Sequence, residues 1–317
     1  MTGTGGHEGG QALRGPAANT VVLAGATGAL GGRIARALAG RGAAVTALVR
    51  TGTPPGRVAA LEADGIRVAA LDLDDVGQVA AACTEAGATG AACVVSALNG
   101  LEPTMLGTQG ALLRGAVAAG VPRFIPSDFS LDFTGTAPGR NRNLDLRRAF
   151  HAQLDRAPLR ATSILNGAFA DLLTGPMPLI LFGLRRVIHW GEADQPLDFT
   201  AMDDVAAFTA AAALDPETPR ILRVAGAQAS PRDLAAMAGA ATGRQFRTLR
   251  LGAPARLDGL IRLAQVLAPG RGQVFPPWQG LQYLRDMFEG RGRLAPLDND
   301  RYPGLRWTGL PEILGRR

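Results

Sequence analysis

The stretch Thr20–Arg50, TVVLAGATGALGGRIARALAGRGAAVTALVR, decides how the fold is read. Val21 to Ala24 is a short apolar run of strand character, stopped by a glycine cluster and followed at once by an apolar pattern of helical period. The order is strand, tight turn, helix. Gly25, Gly28 and Gly31 are spaced GxxGxxG, which supplies a turn with unusual backbone angles, room for a phosphate against bare backbone, and close packing of helix on strand. The turn formed by Gly25, Thr27, Gly28, Ala29, Leu30 and Gly31 is thus the expected seat of a pyrophosphate, held by exposed N–H groups and the positive end of the helix dipole. A second apolar run, Ala43 to Val49, ends in Arg50. An acid about 20 residues past the glycines would hold ribose hydroxyls, whereas an arginine suits a 2′-phosphate, so Arg50 points to NADP(H) over NAD(H). A plain loop in a glycine-rich chain is the alternative. The strand before, the helix after, the second strand and the terminal arginine favour a dinucleotide site.

The 317 residues suffice for one large or two ordinary domains, and 47% hydrophobic content indicates a globular protein. There is no uninterrupted apolar segment of membrane-spanning length, and the first 20 residues lack the apolar centre of a secretory signal, so a cytoplasmic protein without a membrane partner is expected. Cys83 and Cys93, in segments that read as helix and buried strand, are expected to be small core residues and not a disulfide. No zinc-ligand spacing occurs. The net charge of +6 and pI near 10.6 raise the question of nucleic acid. However, all 33 basic residues are arginine, spread along the chain with acids between them, and aromatic content is 5%. Neither a basic stripe nor a stacking platform results, so no nucleic-acid partner is expected.

Residues 1–18, including His7, read as a tail without periodicity. After Arg50 comes a Pro-Gly loop in which Thr51 and Thr53 either add phosphate contacts or simply turn the chain. A helix is expected from about Val58 to Ala63, and then a third buried strand closing on Asp72. Asp72 and Leu73 fall on the adenine side of a bound dinucleotide, or Asp72 caps a helix; for Asp74 or Asp75 the cap is preferred. A fourth strand, Ala92 to Leu98, a helix from about Gly107 to Ala119 and a fifth strand in VPRFIPSDFS repeat the pattern. Strands that are apolar throughout, alternating with helices, argue for an α/β fold with a parallel sheet covered on both faces. Ser96, Ala97, Pro126, Ser127, Asp128 and Phe129 then rim the nicotinamide end. Beyond lie a loop with Arg140 and Arg142, a helix LDLRRAFHAQLD and a strand from Ala161 that runs into a loop with Asn166. An irregular stretch follows from Gly175 to Leu197, then the helix MDDVAAFTAAAAL with Asp203 and Asp204 as cap candidates. RILRVAG and QFRTLRL read as strands on either side of a helix capped by Ser230 with Pro231 behind it, and two further helices precede a Pro-rich end.

In LAGATGALGG (Leu23 to Gly32), Arg50, RFIPSDFS (Arg123 to Ser130), the pair Arg147 and Arg148 ahead of ATSILNGAF, and MDDVAAF, the chain resembles the NmrA-like and isoflavone-reductase-like branch of the atypical short-chain dehydrogenase/reductases. The resemblance implies a Rossmann-type, doubly wound parallel sheet over residues 19–158. It also implies a smaller C-terminal α+β substrate region over 159–317, with some elements returning to the sheet. Binding of NADP(H) and either reduction of small aromatic or quinone-like substrates or nicotinamide-dependent regulation follow from the same likeness. Members similar to it carry a lysine four residues before the paired basic residues, serving the nicotinamide ribose and proton transfer. This chain has Asn143 there and contains no lysine, so it also lacks a Tyr-x-x-x-Lys pair; its tyrosines are Tyr283 and Tyr302.

Asparagine donates a hydrogen bond but cannot shuttle a proton near neutral pH. Three residues are the catalytic candidates: Asn143; His151, within about a quarter turn of the same helix face; and Asp128 on the strand end nearest the expected hydride. His151 is otherwise an ordinary histidine, and Asp128 a turn cap. Tyr283 is a phenol donor or a core residue, and His189 has no neighbour that argues for it. The first expectation is an NADP(H)-dependent oxidoreductase acting on a small conjugated or aromatic carbonyl, protonation being assisted by water, Asn143 or His151. The second is a redox-sensing regulator that binds the dinucleotide and a protein partner without chemistry.

Overall fold

The computed structural model of the protein describes residues 19–86, 90–175 and 177–316; the N-terminal tail expected over 1–18, with His7, lies outside them. The first half reads β1 (Thr20–Ala24), α1 (Ala29–Ala39), β2 (Ala44–Arg50), α2 (Pro55–Ala63), β3 (Arg67–Leu71), α3 (Val76–Thr84), β4 (Cys93–Ser96), α4 (Gln109–Ala118), β5 (Arg123–Ile125), α5 (Arg142–Leu154) and β6 (Arg160–Ala161). These six strands form one parallel sheet in the order β3-β2-β1-β4-β5-β6. That is the doubly wound Rossmann arrangement, whose order reverses between β1 and β4 and opens a crevice at the carboxyl ends of those strands.

The strand period of two sends alternate side chains to opposite faces. Val21 and Leu23 of β1, with Cys93 and Val95 of β4, pack on one face with Ile34, Ala35 and Leu38 of α1. Val22, Ala24 and Val94 pack on the other with Val79 and Cys83 of α3, Leu112 and Ala116 of α4 and Phe150 of α5. Apolar runs without polar interruption are what a sheet covered on both sides requires.

The second half reads β7 (Ser163–Leu165), β8 (Ala168–Phe169), β9 (Ile180–Leu181), β10 (Arg186–His189), β11 (Leu197–Thr200), α6 (Met202–Leu214), β12 (Ile221–Arg223), β13 (Ala227–Ala229), α7 (Pro231–Thr242), β14 (Arg247–Arg250), α8 (Arg256–Leu267), α9 (Pro277–Phe288) and α10 (Leu310–Gly315). β7 follows β6 after Thr162 and pairs in parallel with β12, while α6 packs along α1. The remaining strands form two small sheets, β13-β11-β8 and β14-β10-β9. They share a separate core with α7, α8, α9 and α10, in which Trp190, Phe199, Leu234, Leu257, Trp278, Phe288 and Leu310 are buried.

Several boundaries differ from those read in the sequence. α2 begins at Pro55, because a proline at the first helical position gives up no needed N–H. A wide π-type turn, Pro103–Thr108, precedes α4, so the helix expected from Gly107 has an earlier and looser start. Asp75 caps α3, its Oδ1 accepting from Gly77 and Gln78 N–H, and Ser230 forms a reciprocal capping box with Asp233. Asp203 and Asp204 are not caps: the N-cap of α6 is Ala201, and the Met202 N–H donates to Asp171 Oδ2 at 2.8 Å. Asp203 accepts from Arg33 Nε at 2.7 Å, and Asp204 accepts from the Thr308 N–H and hydroxyl at 2.6 and 2.9 Å. Both acids are thus used on partners distant in sequence. The irregular stretch from Gly175 to Leu197 holds β9 and β10, strands too short to show a period.

Cys83 and Cys93 are free and buried in the sheet cores. Burial pushes the Cys83 thiol up to about 12 and the Cys93 thiol up to about 11, so the reactive thiolate is scarce at neutral pH. In the native protein at pH 8 neither thiol is expected to react with Ellman's reagent over minutes, whereas in denaturant both react. Rapid native labelling of either would contradict this burial.

Candidate functional site

The turn after β1 is shaped by backbone contact. Gly25 has φ of +89°, and a Cβ on it would lie 2.6 Å from the carbonyl oxygen of Ala97. Gly31 packs so tightly that a Cβ there would fall on the Gly25 carbonyl. Gly25 is therefore required by conformation and by space, and Gly31 by space alone. Gly28 is the N-cap of α1 and supplies no capping side chain, and the first intrahelical bond is Gly32 N–H to Gly28 O at 2.9 Å. The amides of Ala29, Leu30 and Gly31 consequently have no acceptor within the helix and point out of its positive end. Thr27 and Leu30 are partly exposed, and Gly28 and Ala29 are exposed.

At the end of β2, Arg50 is exposed, and its guanidinium has no ion-pair or hydrogen-bond partner among the described residues. Its carbonyl accepts both the Thr53 hydroxyl at 2.7 Å and the Thr53 N–H at 2.9 Å, which closes the loop before α2. Asp72 stays exposed with Oδ1 accepting from Asp74 N–H at 3.0 Å, while Leu73 is buried in the core beneath α3. At the reversal of strand order, Ala97 N–H donates to Ala24 O at 2.8 Å, and Ser96 is buried with its hydroxyl unpaired. Ser127 donates its hydroxyl to Leu98 O at 2.6 Å and its N–H to Gln109 Oε1 at 2.9 Å. Gln109, fully buried at the start of α4, was missed in the sequence; a lone glutamine ahead of an apolar helix was its only signal.

Asn141 caps α5, its Oδ1 accepting from Leu144 N–H at 3.4 Å, so Arg142 and Asn143, read as loop in the sequence, belong to the first helical turn. Asn143 is buried and both ends of its carboxamide are engaged. Nδ2 donates to Val274 O at 3.1 Å, and Oδ1 accepts from Arg142 Nε at 3.1 Å. Arg142 also donates to the carbonyls of Gln273 at 3.2 Å and Val274 at 2.6 Å, and its guanidinium lies 4.6 Å from the Trp278 ring. The segment between α8 and α9 is thereby strapped across the start of α5. Phe275 projects from that strap into solvent, as do Leu260, Leu263, Val266 and Leu267 of α8.

His151 and Asp128 meet, but not as a free acid and base. His151 Nε2 lies 2.6 Å from Asp128 Oδ2, which also accepts the Ser163 hydroxyl at 2.6 Å. Arg220 donates to Ser163 Oγ at 2.7 Å and approaches His151 Nδ1 at 3.3 Å. An arginine nitrogen facing Nδ1 makes that atom the acceptor and leaves the ring proton on Nε2, donated to Asp128. The proton of His151 is therefore committed to a fully buried carboxylate, and Ser163 is likewise saturated. The eight residues from Asn143 to His151 separate the two by about 12 Å along the helix, so the structure does not bring them to one point. Tyr283 is half-buried with its ring 6.4 Å from that of Phe275. Tyr302 donates to Asp215 at 2.8 Å, and burial pushes its phenol up to about 12. His189 is buried, and desolvation holds its imidazole below the usual range.

Together these groups offer an anion seat on bare amides, a free guanidinium one strand away and a carboxamide at the start of α5. Among the described residues, the histidine and the carboxylate expected to serve them, His151 and Asp128, are hydrogen-bonded to each other. Among the described residues, no cluster of His, Cys, Asp or Glu is arranged to hold a metal, and no helix is long and apolar enough to cross a membrane.

Comparison with known proteins agrees with this architecture. The chain superposes on AtPrR2 with NADP+ and (+)pinoresinol at 19% identity and a TM-score of 0.78, covering 94% of this chain and 98% of that one. It is similar to leucoanthocyanidin reductase from Vitis vinifera, seen as a binary complex with NADPH, at 19% identity and a TM-score of 0.76, covering 93% and 98% of the two chains. It also matches the NADPH-dependent quinone oxidoreductase QOR2 from Escherichia coli, complexed with NADPH, at 20% identity and a TM-score of 0.72, covering 93% and 99%. No curated protein sequence matches. The description NmrA-like family fits residues 17–261, and with most of its length so matched, the chain belongs to the NmrA-like family.

Proposed function

We propose that this protein binds NADP(H) and reduces a small aromatic, quinone-like or conjugated carbonyl substrate. The observation that carries the reading is the turn Gly25–Gly31, whose two close backbone approaches leave amides free for a pyrophosphate, with the unpaired Arg50 one strand away. The residues fit the group: Thr27, Gly28, Ala29, Leu30 and Gly31 hold the pyrophosphate and Arg50 the 2′-phosphate. Asp72 and Leu73 flank the adenosine end, and Ser96, Ala97 and Ser127 the nicotinamide end. Structural relatives that carry NADP+ or NADPH support the cofactor class.

When bound, the dinucleotide supplies a hydride. Asn143 orients the nicotinamide ribose or substrate by exchanging its hydrogen bond to Val274 O, and the strap over it keeps bulk water from the reacting end. His151 and Asp128 steady the chain after β5 and hand over no proton, because each is consumed by the other. The proton that completes reduction of the acceptor comes from water, which suits acceptors whose reduced oxyanion is a weak base, such as quinones.

The absence of a positioned proton donor also favours a second reading, in which the protein senses NADP(H) and changes its affinity for a protein partner. Two measurements separate them. Titration calorimetry is expected to show NADPH binding that Arg50→Ala weakens about 10- to 100-fold while NADH binding is spared, since a charge-assisted phosphate contact contributes about 1.5–3 kcal/mol. Equal loss for both nucleotides would remove Arg50 as the 2′-phosphate reader. NADPH oxidation is expected with quinones, aromatic aldehydes or enones; tight binding without turnover of any of them would retire the enzymatic reading in favour of the sensor.

A further inference from the structure

The start of α5 is held by more than a helix cap needs. Capping requires one side-chain oxygen to meet an N–H of the first turn, and Asn141 Oδ1 does this at Leu144. Three side chains of α9 grip Asn141 and its neighbour Arg142 as well. Gln279 Nε2 donates to Asn141 Oδ1 at 2.8 Å, Asn141 Nδ2 donates to Asp286 Oδ2 at 2.8 Å, and Arg142 N–H donates to Gln282 Oε1 at 3.1 Å. Positions 279, 282 and 286 fall on one face of a helix. Gln279, Gln282, Asp286 and Asn141 are all buried.

Asp286 is the costly member. Its other oxygen, Oδ1, accepts from Arg285 Nε at 3.2 Å and Nη2 at 3.0 Å, and Arg285 in turn donates to Arg140 O at 2.6 Å, just ahead of the cap. Removing a carboxylate from water is unfavourable even when it is paired, so buried ions are weak devices for stability and are better suited to fixing one arrangement among several. What this one fixes is the direction in which α5 leaves its cap. Asn143 lies two residues beyond Asn141, and its carboxamide meets Val274 only if that first turn is correctly rotated.

We propose that Asp286 is a positioning residue of the site: through Asn141 it sets the first turn of α5 and so the place of the Asn143 carboxamide. The proposal rests on Asn143 serving the site as described under Proposed function. Its physical part, the ordering of the turn, is measurable without activity.

Asp286→Asn leaves one acceptor oxygen where the carboxylate offered two, and sets an amide N–H₂ against a donor. Backbone hydrogen exchange over residues 139–146 is expected to quicken at least tenfold, kcat with a quinone to fall about tenfold, and the KM for NADPH to stay within twofold, since a small misplacement costs turnover more than binding. The exchange pair Asn141→Asp with Asp286→Asn restores every bond. The new aspartate caps α5 as well as asparagine does and accepts from both Gln279 and residue 286, whose remaining oxygen serves Arg285. Protection and kcat are expected to return to within threefold of the original protein. Gln282→Leu, which removes one acceptor and no charge, should shift both readouts in the same direction by less.

Unchanged exchange and kcat in Asp286→Asn, or a double exchange that folds normally yet stays impaired, would overturn the proposal. If the unaltered protein turns over no acceptor, the functional reading fails on its own. The exchange measurements then decide the positioning, loss and recovery across the pair supporting it and no change refuting it.

Discussion

The contact between the Gly31 backbone and the Gly25 carbonyl is the constraint on which the rest depends. With no Cβ at either position, α1 presses its first turn against the end of β1, and β1 in turn lies against Ala97 at the end of β4. The free amides of α1 are thereby carried to the crevice where the strand order reverses. The parallel register of β1 with β2, in which Ala24 stands opposite Leu48, brings Arg50 to the same edge. An anion seat and a cation follow from one steric fact and one strand pairing. Neither needs a side chain that titrates.

The other half of the site has a different origin. Asn143 is placed by the beginning of α5, and that beginning is defined by the C-terminal region through Trp278, Gln279, Gln282 and Asp286. On the proposed reading the sheet presents the dinucleotide while α9 sets what faces it. An asparagine at this point favours binding and orientation over proton transfer. His151, the proton donor the sequence offered, is locked between Asp128 and Arg220. Under the proposed function, this division of labour suits acceptors that need a hydride and take their proton from water.

Much of the sheet was legible because its signals are local. Uninterrupted apolar strands, glycines at Gly25 and Gly31, the cap at Asp75 and the Ser230 box each act within a few residues. The parts that were not legible depend on distant partners. Asp203 and Asp204 had the sequence of caps, yet Arg33 and Thr308 claim them from more than a hundred residues away. Arg142 and Asn143 read as loop because the cap at Asn141 has ordinary local chemistry and its deeper anchors lie on α9. His151 was rightly placed on the helix that carries Asn143, but the helical repeat alone could not reveal that Asp128 and Ser163 would occupy its proton. Gln109 was invisible for the same reason, since its partner, the Ser127 amide, is a backbone group.

The central claim is that bare amides at the start of α1, with Arg50, form the seat of a phosphorylated dinucleotide. A crystal structure of the protein with NADPH tests it most directly. The pyrophosphate is expected within hydrogen-bonding distance of the Ala29–Gly31 amides, and the 2′-phosphate in contact with the Arg50 guanidinium. A nucleotide bound elsewhere, or one whose 2′-phosphate points away from Arg50 into solvent, would contradict it.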